Sequence, residues 1–151
     1  MRRSVLALLL AALTVPCAPA VAATVRVDYQ RNALIYRAAP GERNKVRITA
    51  SAVPTAPDDQ YIRFTVEDSV RIRPGESCRQ VHPGRRRFYE CELFGSGGAI
   101  VRLGDRSDRA HVHGSIDRVF LDGGRHTQDS FTRLSRYARR PVLTWINTVV
   151  K

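Results

Sequence analysis

The sequence predicts a mostly β fold, organised as a short parallel β-roll or β-helix-like domain with one disulfide and a small C-terminal helix or tail. Three observations lead there. Apolar and polar residues alternate at period two in segment after segment, as half-buried strands do. Proline- and glycine-built clusters separate these segments. Two glycine turns, opening at Gly104 and Gly123, each follow an apolar strand. Their spacing is close to the roughly eighteen residues of two stacked nonapeptides, one turn of a parallel roll.

In chain order, the first element is not part of that fold. Met1-Arg2-Arg3, the apolar run Val5 to Val15, and then Pro16 with small residues read as a secretory signal peptide, residues 1–23. Cleavage fits after Val21-Ala22-Ala23, with a cut after Ala20 as the alternative. The run is too short to span a bilayer, and Thr-Val-Pro before Cys17 resembles a lipobox poorly. No second apolar run of that kind follows, so the mature chain is expected outside the cell without a transmembrane segment.

A β domain is expected over residues 24–131. Its strands are Thr24 to Tyr29, Ala33 to Arg37, Lys45 to Thr49, Tyr61 to Val66 and Val70 to Arg73. Between them stand Ala-Pro-Gly-Glu, Val-Pro-Thr-Ala-Pro-Asp-Asp and Arg-Pro-Gly-Glu, sequences suited to turns and loops. Cys78 and Cys91 then flank a turn-rich segment that contains His-Pro-Gly-Arg. As an even pair in an exported chain they predict a disulfide. Ile100 to Leu103, His111 to His113 and Arg118 to Leu121 complete the strands. The first half fits a sandwich, a barrel or a parallel β-helix; the glycine turns of the second half tip the choice to stacked coils. Only about two such units are visible, so the first half must cap the stack or continue its sheet.

The residues that carry a resemblance are Asn32 to Val46, the Cys78 and Cys91 pair, Ile100-Val-Arg-Leu-Gly-Asp-Arg-Ser-Asp108, and Leu121-Asp-Gly-Gly124. In this order they resemble secreted actinobacterial proteins related to haemolysin-type (RTX) calcium-binding repeat proteins. The resemblance implies calcium as the ligand. It implies Asp105 and Asp108 as carboxylates of one turn and Asp122 and Asp129 as carboxylates of the next. It also implies Gly104, Gly123 and Gly124 as the turn glycines. Calcium prefers such an oxygen-rich shell, and glycine permits the left-handed backbone that brings the chain close to the ion. The chain departs from the pattern at Arg106 and His126, which take glycine positions, and at Gln128, which puts Asp129 one residue late. Arg106, Arg109 and Arg125 add positive charge to a cation site. The expectation is an eroded site, with calcium held weakly or lost and a guanidinium able to bridge the carboxylates instead.

Other constellations are thinner. His111 and His113 share a strand face and could hold a transition metal with His126 or His82. Catalytic residues are not legible: the sequence lacks a Gly-x-Ser-x-Gly elbow, a zinc-protease helix and a P-loop. The paired acids Asp58-Asp59 and Glu67-Asp68 fall at loop or strand-end positions. A small β-helix carbohydrate-active enzyme is a second alternative to a binding protein. The net charge of +11 rests almost wholly on arginine. It favours polyanions, and for an exported chain these would be anionic cell-envelope polymers; an intracellular nucleic-acid role does not fit.

Residues 132–151 differ in kind. Phe131, Leu134, Tyr137 and Ala138 recur at helical spacing with Arg133, Arg136, Arg139 and Arg140 between them. Pro141 ends the pattern, and an apolar stretch, Val142 to Val150, follows. A short basic helix capping the stack is expected there. The sequence therefore points to an exported, non-enzymatic calcium-binding-type domain with a structural or binding role. A cationic domain for envelope polymers is the alternative.

Overall fold

The computed structural model describes residues 22–55, 60–85, 87–124, 130–134 and 143–146, the last two stretches as backbone only. Among them twelve strands form two mixed six-stranded sheets. Strand β1 is Ala23–Asp28, β2 Ala33–Arg37, β3 Lys45–Pro54, β4 Gln60–Glu67, β5 Ile72–Pro74 and β6 Cys78–Gln80. Strand β7 is Phe88–Phe94, β8 Gly98–Arg102, β9 Arg109–Gly114, β10 Arg118–Asp122, β11 Ser130–Leu134 and β12 Leu143–Ile146. The first sheet runs β12-β10-β8-β2-β1-β5, the second β11-β9-β3-β4-β7-β6.

Each sheet has a parallel part. In the first, β2, β8, β10 and β12 lie side by side and parallel, with Ala33 beside Gly98 and Gly98 beside Arg118. In the second, β3, β9 and β11 do the same, with Lys45 beside Arg109 and Arg109 beside Ser130. Three successive pairs of strands thus lie in register on one another: β2 with β3, β8 with β9, and β10 with β11. Backbone bonds continue the ladder into the turns, from Ala38 N–H to the Arg102 carbonyl and from Leu103 N–H to the Asp122 carbonyl, both at 2.8 Å. The first half therefore continues the sheets of the second half.

Apart from β5, which pairs in parallel with β1, the rest is antiparallel. Strand β1 turns back on β2 through Tyr29 to Asn32, where the Asp28 carboxylate accepts the Arg31 amide at 3.1 Å and its guanidinium at 2.7 Å. Between the first and second stacked units the chain makes an excursion through β4, β5, β6 and β7. Strands β4 and β7 pair antiparallel beside β3, and β6 pairs with β7. Cys78 and Cys91 are directly opposed in that last pair and form the disulfide.

Alternation fixes which side chains go inside. Val25 and Val27, Leu34 and Tyr36, Ala99 and Val101, and Val119 and Leu121 point inward from the first sheet; all are buried. Val46 and Ile48, Phe64 and Val66, Tyr89 and Leu93, and Ala110 and Val112 meet them from the second, in one continuous cluster. Burial of each larger aliphatic side chain is worth about 1.5–3 kcal/mol, so this interlayer cluster is the main source of cohesion.

Two expectations are corrected. The segment opening at Phe131 is not helical where it is described: Ser130–Leu134 is a strand paired with β9. An i, i+3 pair such as Phe131 and Leu134 fits a helix, but an available parallel edge decides in favour of a strand. Residues 135–142 lie outside the described residues. The cysteine segment, read as a loop, contains strands β6 and β7. Tyr89, Cys91 and Leu93 alternate with Glu90 and Glu92 there, which is the period-two signal itself.

Candidate functional site

The stacked turns gather the residues singled out from the sequence. Gly104 and Gly124 have φ of +93° and +71°, and a Cβ on Gly124 would fall on the Gly104 carbonyl. Only glycine permits both the backbone angle and that approach. Gly124 is thus the residue stacked on Gly104, and Gly123 precedes it beside Leu103.

The carboxylates of these turns face backbone amides. Asp105 Oδ1 accepts from the Gly41 amide at 2.7 Å. Asp108, wholly buried, accepts from the Asn44 amide at 2.8 Å. Asp122 Oδ1 accepts from the Gly124 amide at 3.1 Å, within its own turn. Each aspartate thereby satisfies a turn donor that no ladder bond reaches. Asp129 lies outside the described residues. In chain order it immediately precedes Ser130, as Asp108 immediately precedes Arg109, its register partner.

Calcium would need six to eight oxygens converging on one point. At the rank of Asp108, the first unit presents Asn44, a neutral amide. Two buried oxygens at this rank, Asn44 Oδ1 and Asp108 Oδ2, accept no hydrogen bond from the described residues, well short of such a shell. Among the described residues no three acidic, histidine or cysteine side chains converge to hold a metal.

Behind the first turn lies a buried polar cluster that the sequence reading missed. Asp68 Oδ2 accepts from the Tyr36 hydroxyl and, at 2.8 Å, from Asn44 Nδ2. Asp68 Oδ1 accepts from the Lys45 and Ser69 amides at 2.9 and 2.6 Å. Burial, with the Asp68 charge beside it, pushes the Tyr36 phenol far above its ordinary range. Asp68 is consumed by these bonds, so the Glu67-Asp68 pair does not form an acid–base set. Asp58 and Asp59 lie outside the described residues.

The second notable place is a cleft of about 740 Å³ on the outer side of the second sheet. Lys45 and Arg47 come from β3, Glu67 from the end of β4, and Arg85 and Arg87 from the connection between β6 and β7. That connection is shaped by His82-Pro83-Gly84-Arg85: Gly84 has φ +96° and the Arg85 amide donates to the His82 carbonyl at 3.0 Å. Proline second and a positive-φ glycine third are what a type II turn requires. Lys45, Arg47, Arg85 and Arg87 are all exposed, and none makes an ion pair among the described residues. The other end of the same face is neutralised, with Arg63 and Arg79 paired to Glu92 and Glu90. The Arg85 to Arg87 run was visible in the sequence. Its meeting with Lys45 and Arg47 depends on strand pairing and was not.

His111 and His113 do share a face, with ring centroids 6.4 Å apart, and His113 Nε2 lies 3.1 Å from Thr49 Oγ1. His82 instead stacks at a tilt on Phe88, and His126 lies outside the described residues. No helix of the described residues is long and apolar enough to cross a membrane. No family model, curated protein or solved structure matches the chain.

Proposed function

We propose that the chain is an exported, non-enzymatic domain built as a short parallel β-roll, similar to haemolysin-type calcium-binding repeat proteins, in which protein hydrogen bonds have replaced the ion. The observation that carries this reading is Asp108: it keeps the place of a turn ligand, yet it is buried and bonded to the Asn44 amide. Asp105 repeats the arrangement on Gly41. A carboxylate that satisfies a neighbouring turn holds successive coils together without a cation, so folding does not wait for calcium. The test is far-UV circular dichroism with chelator and then with rising calcium. A β-dominated spectrum in chelator, unchanged by calcium, is expected. A chain disordered in chelator that folds on calcium addition would falsify the reading.

A second reading concerns what the domain binds. The net charge of +11 and the four exposed cations that form no ion pair among the described residues favour an anionic polymer of the cell exterior. Exposed charges are screened by salt, so such binding should weaken steeply as ionic strength rises.

A further inference from the structure

We propose that the cleft formed by Lys45, Arg47, Arg85 and Arg87 binds an anionic carbohydrate chain through its sulfate, phosphate or carboxylate groups. The inference rests on the second reading above and gives it a place and a ligand class. Charge comes first. The four cations converge from one strand, β3, and from the connection between β6 and β7, whereas the far end of the same face is neutralised by its own glutamates. Guanidinium groups offer planar donor pairs that match oxyanion geometry, and among the described residues these arginines make no ion pair that binding would break.

The carbohydrate part comes from the remaining lining. Glu67 stands exposed among the cations, in register between Arg47 and Phe88. A bare polyphosphate would be repelled there, but a carboxylate accepts hydrogen bonds from sugar hydroxyls. Ser69 adds a hydroxyl, and half-buried Phe88 adds a small apolar wall backed by the His82 ring. Nucleic acid fits less well. Single-strand binders stack bases on exposed aromatic faces, and the exposed large aromatics among the described residues, Tyr29 and Phe94, do not line the cleft.

The test compares two double variants that remove equal charge. Arg85→Gln/Arg87→Gln alters the cleft; Arg37→Gln/Arg102→Gln alters exposed neighbours on the other sheet. Binding of a sulfated hexasaccharide, a polyphosphate of equal charge and a single-stranded oligonucleotide is measured by calorimetry at low salt. Circular dichroism confirms that each variant is folded. We expect the hexasaccharide to bind most tightly, with about tenfold loss in the cleft variant and less than about twofold in the other. Glu67→Gln should weaken the hexasaccharide and tighten polyphosphate. Equal losses in both double variants would sink the cleft while leaving the cationic reading intact. No binding of any probe to the parent would sink both. Polyphosphate or oligonucleotide binding as tight as the hexasaccharide would overturn the carbohydrate assignment.

Discussion

Tyr36 shows how much a single side chain can decide here. Its hydroxyl is buried and donates to Asp68, which also organises the Lys45 and Ser69 amides. Replacing it with phenylalanine removes a donor from a buried carboxylate, and Tyr36→Phe should cost about 1–3 kcal/mol in denaturant unfolding. The phenol also carries a pH signature. Its pKa in the folded protein is raised above the ordinary 10.0, so the folded state holds a proton that the unfolded chain releases. That contribution is fully present below pH 10 and is lost as pH rises beyond it. Unfolding midpoints should therefore fall more steeply above pH 10 in the parent than in Tyr36→Phe. Parallel profiles would place the tyrosine in water rather than on Asp68. None of this cluster could be read from the sequence, since Tyr36, Asn44 and Asp68 come from different elements and ordinary spacings. The turn carboxylates were legible because Gly104-Asp105 and Asp108 sit close together in one motif. Their bonds to Gly41 and Asn44 were not, because stacking alone brings those amides near.

At the scale of the element, local alternation was the legible part. Ala33–Arg37 is bounded as the sequence predicts, because Pro40-Gly41 and the turn before it leave no other strand possible. Strand β11 was misread because two apolar residues three apart suit either period, and only the open edge of β9 selects the strand. The glycine turns allow a sharper comparison. Gly41 has φ +77° with open space around it, whereas Gly124 has φ +71° and lies against the Gly104 carbonyl. Gly41→Ala should cost about 1 kcal/mol for backbone strain alone; Gly124→Ala, with an added clash, should reach the upper part of the roughly 1–3 kcal/mol range. Thermal unfolding of the two variants gives the order, and equal losses would mean that the coils are not stacked at this point. The start of β1 bears on export in the same way. Ala23 is wholly buried and pairs with Ile72, so cleavage after it would remove a core residue from the strand. If the proposed leader is cleaved on export, mass spectrometry of protein recovered from the medium should find Val21 as the first residue; a chain beginning at Thr24 would show that β1 tolerates the loss.

For the whole molecule, the division between stack and excursion matters most. The excursion carries the disulfide and half of the cationic cleft, while the stack carries the glycine turns of Gly104 and Gly124. On the proposed reading, binding and cohesion fall to different parts of one chain, and substitutions in the turns should leave the cleft unaltered. The same division has a kinetic consequence. The β3–β4 and β4–β7 pairings join strands that are near in sequence, but β2–β8 and β3–β9 must close across the entire excursion. Long closures have to be made before their contacts repay the lost chain entropy. The hairpins of the excursion should therefore form first and act as the surface on which the parallel strands assemble. The Cys78–Cys91 bond shortens the path around that closure. Reducing it should lower equilibrium stability by about 3 kcal/mol and slow refolding as well. If reduction changed only the unfolding rate, the excursion would be shown to assemble after the stack, and the bridge would act as a late clasp rather than an early guide.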